Sequence, residues 1–316
     1  MGKKYEVLIL NDVNEKQKRE IENRGEICSF VYKNKKDITK EDISKADIVI
    51  GNPKVELLGK NAENLKWLQL CSAGVDEYKS TGVLPENCVL TNATGAYGLA
   101  VSEHMLSLVF MLSKKLNLYL ENQFDHKWKG EGKITSIYNS TFLIIGLGDI
   151  GSEFGKKVKA LGGYTIALVR TKREKKEYID ELYTLDEIDD IIPRADVVAM
   201  VIPGNDENYH FMDEKRIKKL KKDAIIINAG RGTTLDIDAL CNALNKGELR
   251  GAALDVTEPE PLPENHPAWN AKNLVITPHV AGGFHLDETL QRFVNIAAYN
   301  LEAFLNNKEM KNVIKR

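Results

Sequence analysis

The stretch that decides the fold is Ser140-Thr141-Phe142-Leu143-Ile144-Ile145-Gly146-Leu147-Gly148-Asp149-Ile150-Gly151, a short apolar run that leads directly into G-x-G-x-x-G. A helical pattern follows over residues 152–161. Gly146 permits the turn, Gly148 lets the backbone approach a pyrophosphate, and Gly151 lets the helix pack closely on the strand. The free N–H groups at the helix N-terminus would then bind the diphosphate. The stretch predicts a dinucleotide-binding unit, and the plain alternative is a tight turn that binds nothing.

Composition predicts an ordinary soluble protein of about two domains. The chain has 316 residues, of which 43% are hydrophobic and 28% charged. Its net charge of −2 gives no basic field that would point to nucleic acid. The four cysteines are widely separated and lack metal-ligand spacing, so we expect reduced, buried thiols in a cytoplasmic protein with no metal.

The N-terminus and the longest apolar tract are the places where sequence signals for secretion, membrane insertion and subunit contact would lie. A strand pattern begins at Tyr5 and leaves no room for a signal peptide. The apolar tract at residues 99–120 contains Glu103, Lys114 and Lys115 and is too polar to span a bilayer. It predicts one long helix that is either a buried core element or a subunit interface.

Short β-rich runs alternate with helical patterns along the whole chain, which predicts parallel sheets of the α/β class. A first series of strands is expected at residues 7–10, 27–32, 47–50, 67–70 and 89–91, and a second at 142–145, 164–169, 197–202, 224–228, 251–254 and 274–276. Only the second series of strands contains the glycine pattern. We therefore expect residues 99–285 to form the cofactor-binding domain. Residues 1–98 and 286–316, including a helix at 288–306, form the predicted substrate-binding domain, with the ligand in a cleft near the strand ends.

The residue that selects the cofactor follows the second strand of the later series. An acidic residue usually stands about 20 positions past the glycines and binds the ribose hydroxyls. Here Arg170 lies 19 residues after Gly151 and is preceded by apolar Val169. Arg170, Thr171 and Lys172 or Arg173 could hold a 2′-phosphate, because guanidinium grips phosphate in a bidentate way. NADP(H) is therefore favoured over NAD(H), and a solvated basic loop is the alternative.

Three polar residues follow strands or stiff loops of the predicted cofactor domain. Arg231 ends a buried strand between two glycines, Glu260 lies in a loop with three prolines, and His279 follows the last strand. An arginine that binds a carboxylate, a histidine that supplies a proton and a carboxylate that orients the histidine suit hydride transfer to a 2-oxo acid. Taken singly, Arg231 could cap a helix or pair with Asp255, Glu260 could be solvated and His279 could be structural.

Four motifs in order give the chain a family resemblance: G-L-G-D-I-G (146–151), N-A-G-R-G (228–232), L-D-V-T-E-P-E-P-L-P (254–263) and T-P-H-V-A-G-G (277–283). The chain resembles the D-isomer-specific 2-hydroxyacid dehydrogenases over nearly its whole length. The resemblance implies an α/β, two-domain architecture in which a Rossmann dinucleotide-binding domain is inserted into a flavodoxin-like substrate domain. It also implies that Arg231, Glu260 and His279 are the catalytic residues, and that the chain is a homodimer built through the 99–120 region.

The same resemblance implies the binding residues. The substrate would contact Ser72, Ala73, Gly74, Arg231 and His279, with the backbone N–H groups of residues 73 and 74 on its carboxylate. Residues 51–54 form the loop in which specificity is to be sought. The cofactor contacts implied by the glycine pattern and by the family are Gly146, Gly148, Asp149, Ile150, Gly151, Arg170, Thr171, Lys172, Ile202, Pro203, Ala229, Gly230 and Asp255.

Two alternatives remain open at this stage. One is a specialised family member, a ketopantoate, glyoxylate/hydroxypyruvate or phosphoglycerate-type dehydrogenase; phosphoglycerate would need extra cations, for which Lys54 and Lys79 are candidates. The other is a nucleotide-sensing regulator on the same scaffold, which would be marked by a degraded catalytic set or a long interaction tail. The complete set Arg231, Glu260 and His279 favours an enzyme.

Overall fold

The computed structural model describes residues 4–316 and divides the chain into two compact units. The first unit comprises the chain up to Tyr97 together with Phe284–Arg316, and the second comprises Gly98–Gly283. The strands are β1 (Tyr5–Ile9), β2 (Cys28–Tyr32), β3 (Ile48–Ile50), β4 (Trp67–Gln69), β5 (Val89–Thr91), β6 (Thr141–Ile145), β7 (Tyr164–Val169), β8 (Glu181–Thr184), β9 (Val197–Met200), β10 (Ile225–Asn228), β11 (Gly251–Leu254) and β12 (Leu274–Ile276). The α-helices are α1 (Glu15–Glu22), α2 (Lys40–Lys45), α3 (Gly98–Ser113), α4 (Leu116–Phe124), α5 (Asp149–Ala160), α6 (Ile188–Ile191), α7 (Glu214–Lys219), α8 (Ile237–Asn245) and α9 (Asp287–Leu305).

The first unit is built on a parallel sheet with the strand order β2-β1-β3-β4-β5, which is the flavodoxin-like order. One of its hydrophobic clusters joins Val7, Ile9 and Trp67 of the strands to Phe293 and Leu301 of α9. The last helix of the chain therefore supplies part of the core beneath the first strands.

The second unit is built on a parallel sheet with the order β12-β11-β10-β9-β6-β7-β8. This is the Rossmann order extended by one strand, so the predicted fold class is confirmed. Strands β6, β9 and β10 are almost entirely buried, as expected where helices cover both faces of a parallel sheet. Buried strands of this kind leave polar side chains to the loops at the strand ends, where the candidate site is found.

Strand β8 was missing from the strands expected from the sequence. It pairs only with β7, at the edge of the sheet, and its four residues Glu-Leu-Tyr-Thr are all half-buried. An edge strand needs no continuous apolar run, so the sequence carried little signal for it.

The prediction of one long helix over residues 99–120 is wrong. Helix α3 ends at Ser113 and α4 begins at Leu116, because Lys115 adopts a left-handed backbone conformation with φ of 58°. The ammonium groups of Lys114 and Lys115 are drawn to backbone carbonyls of Thr135 and Glu131. Helix α3 packs on α5, β10 and β11, so it is a core element of its own unit.

The described residues, 4–316, include no helix that is long and apolar enough to cross a membrane. Within the same residues, no group of three or more His, Cys, Asp or Glu side chains is arranged to hold a metal ion.

Candidate active site

The glycine loop has the shape that a diphosphate requires. Gly146 has φ of 98°, a left-handed value that side chains disfavour. A Cβ at Gly151 would stand 2.0 Å from the Gly146 carbonyl oxygen, so only glycine allows this contact between helix and turn. A Cβ at Gly148 would meet no atom of the described chain within 4 Å, which leaves open space directly before the N-terminus of α5. The loop therefore fits a dinucleotide phosphate group.

A cavity of about 470 Å³ extends from this loop to the end of β7. Its volume is within the usual range of cofactor and ligand sites. The predicted cofactor residues that line it are Gly146, Gly148, Arg170, Thr171, Lys172, Ile202 and Pro203. The structure thus brings the glycine loop and the basic residues after β7 into one cavity.

The remaining predicted cofactor residues do not line this cavity: Asp149, Ile150, Gly151, Ala229, Gly230 and Asp255. Asp149 and Ile150 form the first turn of α5, and the Asp149 carboxylate accepts a hydrogen bond from the Gly98 N–H at 2.8 Å. Gly230 packs closely against the loop after β9, since a Cβ at this position would be 2.7 Å from the Ile202 carbonyl oxygen.

Arg173, which the sequence offers as an alternative to Lys172, lines the cavity, as do Asn205 and Asn208, which the sequence does not predict. The guanidinium of Arg173 donates to the Leu147 carbonyl and so reaches from the basic stretch to the glycine loop. Asn205 and Asn208 line the other side, and the Asn208 amide donates to the Pro203 carbonyl at 2.9 Å. The two asparagines lie in a polar loop of the sequence without a motif, so no local signal distinguished them.

Arg231 lies at the carboxyl end of β10, in a loop held against two others. Its Nη1 donates to the Gly230 carbonyl at 2.8 Å. A Cβ at Gly204 would stand 3.1 Å from the Arg231 Cβ, and one at Gly232 only 1.9 Å from the Thr257 carbonyl oxygen. The loops after β9, β10 and β11 are therefore in close contact around Arg231.

Glu260 and His279 are in direct contact. His279 Nδ1 lies 2.5 Å from Glu260 Oε1. The His279 side chain is 48% exposed and the Glu260 side chain is 41% exposed, so both are accessible. The second carboxylate oxygen of Glu260 is 3.5 Å from the Thr257 N–H. The prolines around Glu260 carry cis peptide bonds at Pro259 and Pro261. This pair can hold a proton at the histidine while the carboxylate fixes the ring.

Asp255 organises the backbone that carries His279. Its side chain is only 3% exposed, and its carboxylate accepts hydrogen bonds from the N–H groups of Val280 at 3.0 Å and Ala281 at 3.1 Å. The His279 N–H donates to the Asp255 carbonyl at 2.8 Å. His279 has φ of 52°, a conformation that costs a residue with a side chain about 1–3 kcal/mol and persists only where neighbours impose it. Asp255 is the neighbour that imposes it.

A further contact anchors Asp255 to the interior of the second unit. The Thr277 hydroxyl donates to Asp255 Oδ1 at 2.6 Å, and His104 Nε2 on α3 lies 3.0 Å from the same hydroxyl. Because the hydroxyl proton is used on Asp255, Thr277 must accept from His104, which therefore carries a proton on Nε2. This chain of three residues was not predicted, since His104 stands in an apolar helical pattern.

In the first unit, residues 72–74 form a loop after β4 that asparagines hold in place. Asn52 Nδ2 donates to the Ser72 hydroxyl at 2.9 Å, and Asn92 Nδ2 donates to the Ala73 carbonyl at 2.7 Å. The Ser72 hydroxyl donates to the Gly74 carbonyl at 2.7 Å. Within the described chain, the N–H groups of Ala73 and Gly74 find no acceptor, which suits an anionic ligand.

Comparison with known proteins decides the family. The model of the "D-isomer specific 2-hydroxyacid dehydrogenase, NAD binding domain" matches residues 106–281, more than half of the chain. The chain belongs to the D-isomer specific 2-hydroxyacid dehydrogenase family. This family is one of oxidoreductases that act on 2-hydroxy acids.

Individual members of the family extend the match beyond this domain. The chain is 30% identical to a glyoxylate reductase of Thermofilum pendens, over 77% of this chain and 73% of that protein. It is 28% identical to glyoxylate/hydroxypyruvate reductase B of an Enterobacter strain, over 86% of this chain and 85% of the relative. The crystal structure of a family protein from Aeromonas salmonicida superposes with a TM-score of 0.87 at 28% identity, covering 98% of this chain and 99% of the other.

Proposed function

We propose that this family member is an NADP(H)-dependent D-2-hydroxyacid dehydrogenase that reduces small 2-oxo acids. The observation that carries the proposal is the 2.5 Å contact between His279 and Glu260, because an accessible histidine oriented by a carboxylate is the arrangement of a proton donor. Arg231 supplies the cation in the neighbouring loop. The relatives named as glyoxylate and glyoxylate/hydroxypyruvate reductases support small 2-oxo acids as the first substrates to test.

Each residue of the set has a separate task. The glycine loop and the basic residues after β7 would hold the dinucleotide, which when bound would supply the hydride for reduction of the substrate carbonyl. Arg231 binds the substrate carboxylate and polarises the carbonyl oxygen, which gains negative charge during reduction. His279, protonated, gives its proton to that oxygen, and Glu260 keeps the ring oriented and stabilises the imidazolium. In the reverse direction His279 accepts the hydroxyl proton.

The cofactor preference rests on the residues after β7. Val169 is buried and offers no acceptor for a ribose 2′-hydroxyl, whereas Arg170, Thr171 and Lys172 are exposed in the cavity. A 2′-phosphate would neutralise these cations and accept hydrogen bonds from them. Arg173, which bridges to the glycine loop, adds a further cation to the same cavity.

We assign residues 72–74 of the first unit to the substrate carboxylate. The N–H groups of Ala73 and Gly74 lie in a loop to which Asn52 and Asn92 donate hydrogen bonds, and neighbouring backbone donors of this kind bind anions. Asn52 lies in the loop at residues 51–54, so its contact with Ser72 gives that loop a route to influence substrate choice.

We propose that the protein is a homodimer in which α4 and the following segment form the contact. The exposed large apolar side chains there are Leu116, Tyr119, Leu120, Phe124 and Trp128, and Trp128 is fully exposed. Several exposed apolar side chains in one short segment favour an interaction site. The contact therefore lies slightly later in the chain than α3, whose apolar face is buried within its own unit.

The cysteines support a cytoplasmic location for the enzyme, because reduced thiols are typical of that compartment. Within residues 4–316 none of the four cysteines forms a disulfide, and Cys28, Cys88 and Cys241 are buried. Burial raises the pKa of the Cys88 and Cys241 thiols to about 11, so neither forms a thiolate near neutral pH.

The test is a panel of small, branched and aromatic 2-oxo acids assayed with NADPH and with NADH. We expect reduction of a small 2-oxo acid with a higher kcat/KM for NADPH. Equal efficiencies with the two cofactors would defeat the NADP assignment. Tight NADPH binding without turnover of any member of the panel would favour a nucleotide-sensing regulator instead.

A further inference from the structure

The second unit contains another cavity, at the amino-terminal ends of its strands, whereas the glycine loop lies at their carboxyl ends. It has a volume of about 370 Å³, and residues at the beginning of three strands line it: Phe142 of β6, Val197 of β9 and Ile225 of β10. The cofactor residues follow the carboxyl ends of these same strands. The two cavities share no lining residue, so this one is a separate place in the unit.

Arg250, which immediately precedes β11, is the residue in this cavity that needs an explanation. Its side chain is only 9% exposed, yet its Nε has no hydrogen-bond acceptor in the described chain. Nη2 lies 3.6 Å from a carboxylate oxygen of Asp223, whose own side chain is 76% exposed, and Nη1 lies 3.5 Å from the Lys133 carbonyl. A guanidinium carries five donors, and leaving them unmatched in a buried position is costly. Nε is itself enclosed, so the donors that Arg250 offers to the cavity are the remaining N–H groups of Nη1 and Nη2, whose contacts within the protein are long at 3.5 Å and 3.6 Å.

The charges around Arg250 favour an anion. Lys133, Lys221 and Lys222 also line the cavity, and the acidic side chains among its lining residues are Asp196 and Asp223. Asp196 is already engaged: it lies 2.8 Å from Lys221 Nζ and accepts the Thr141 N–H at 2.7 Å. Four cations against two carboxylates leave a surplus of two positive charges, which matches a dianion.

Hydroxyl groups complete the lining. Ser113, Thr135 and Ser136 add hydroxyl groups beside the cations, whereas the Ser140 hydroxyl already donates to the Ser136 carbonyl. A planar guanidinium with ammonium and hydroxyl donors around it is the donor set that recognises phosphate, because phosphate accepts from several directions and carries about two charges near neutral pH. The volume is at the lower end of the range for small-ligand pockets and accommodates more than a bare anion.

We propose that this cavity binds a small phosphate dianion, either inorganic phosphate or a phosphomonoester, with Arg250 as its central ligand. The site is distinct from the proposed dinucleotide site and does not depend on it. Lys222 and Lys133 provide long-range attraction, whereas Arg250 provides the directed hydrogen bonds from within the cavity.

The experiment is a titration of the full-length protein with sodium phosphate, followed by isothermal calorimetry and by the midpoint of thermal unfolding. Sodium chloride at matched ionic strength is the reference, because it reproduces general screening without a directed acceptor. We expect saturable binding and a rise in the midpoint beyond that in chloride. An identical response to the two salts would overturn the proposal.

Two variants and a control locate the bound phosphate. Arg250→Met should weaken phosphate binding at least tenfold, and the exposed Lys222→Gln, which should fold normally, should weaken it by a smaller factor. Arg194→Met is the matched control, because Arg194 pairs with Glu181 outside the cavity. Unchanged phosphate affinity in both cavity variants would place the anion elsewhere, for example at the glycine loop, and would overturn the proposal.

A last measurement separates the two phosphate-binding regions. NADPH affinity should be the same in Arg250→Met as in the native protein, and a parallel loss of both affinities would contradict a separate site. Glycerol 3-phosphate serves as the second probe: tighter binding than inorganic phosphate identifies a phosphomonoester as the ligand, and weaker binding identifies the free anion.

Discussion

The two units of this chain are both parallel sheets covered by helices, yet they carry different chemistry at their strand ends. In the first unit the loops after β3 and β4 present amides and backbone N–H groups, represented by Asn52 and Gly74. In the second, the corresponding ends carry the glycine loop, Arg231 and His279. In both sheets the central strands are buried, as β3 and β4 are in the first and β9 and β10 in the second. The difference teaches that a fold provides positions, whereas the side chains at the carboxyl ends determine what the positions do.

The largest expected effect is that of Arg231→Ala in the second unit. Removing the guanidinium should lower kcat/KM for 2-oxo acids about 1,000-fold, the upper range for loss of one group that stabilises a developing oxyanion. NADPH affinity, measured by fluorescence titration, should stay within a factor of two. Arg24→Ala, a surface arginine of the first unit paired with Glu302, is the control and should leave both values unchanged. Loss of NADPH binding with intact substrate affinity would contradict the assigned role.

Glu260→Gln should lower kcat by about 100-fold, since the amide keeps the shape but cannot stabilise the imidazolium at His279. Steady-state kinetics should show this loss mainly in kcat, with a smaller change in KM. The comparison variant in the first unit is Ser72→Ala, which disturbs the loop at residues 72–74 and should mainly raise KM. The opposite pattern, with Ser72→Ala lowering kcat and Glu260→Gln raising KM, would reverse the division of labour between the units.

Arg170→Asp should shrink or reverse the preference for NADPH, with the ratio of the two kcat/KM values falling about tenfold or more. An aspartate repels the 2′-phosphate and offers an acceptor to the ribose hydroxyls. Lys176→Asp changes the charge equally in the same basic stretch but lies outside the cavity lining, so it is the control. An equal change in both variants would attribute the preference to general charge alone.

Thr277→Val should reduce kcat about threefold to tenfold without touching the reacting groups. It keeps the shape but removes the hydroxyl that links His104 to Asp255, at a cost of about 1 kcal/mol for a hydrogen bond. Thr277→Ser should restore the rate, because it restores the hydroxyl. A normal rate in Thr277→Val would show that the backbone at His279 is held without this link.

The smallest expected effect concerns a feature that both units share. In the second unit Arg194, with Tyr183, lowers the pKa of the Glu181 carboxyl to about 2, and in the first unit Lys33, with the Thr39 N–H, lowers the pKa of Asp42 to about 2. A lowered pKa in the folded state stabilises the protein above the ordinary pKa, and this contribution is lost as the pH falls from about 4.5 to 2. Glu181→Gln and Asp42→Asn should each lower stability at pH 7 by less than about 1 kcal/mol, because both pairs are partly exposed. Urea unfolding at pH 7 and pH 2.5 should show that the difference from the native protein shrinks in acid.

The sequence predicted the class of the fold and most of its strands, because buried parallel strands are written as short apolar runs. Strands β5, β7, β11 and β12 have the predicted bounds. The failures have a common physical origin in contacts made at a distance along the chain. Lys115 breaks the expected long helix where the two lysines contact residues 131–135, and β8 is defined by its pairing with β7.

The candidate site was predictable to the extent that its residues lie in motifs. Glu260 and His279 were expected to act together, and their side chains are in contact. The positioning role of Asp255 could not be read from the sequence, because it depends on hydrogen bonds to the N–H groups of residues 280 and 281. His104 was hidden for a related reason: a single polar residue in an apolar helix does not reveal its partner.

The place of α9 has a consequence for how the molecule is made. Phe293 and Leu301 belong to the same core as Val7 and Ile9, although the entire second unit separates them along the chain. During synthesis the first strands therefore emerge long before the helix that covers one of their faces, whereas every strand of the second unit is complete by residue 276. The second unit can therefore fold first. The strands of the first unit keep an uncovered apolar face until α9 has left the ribosome.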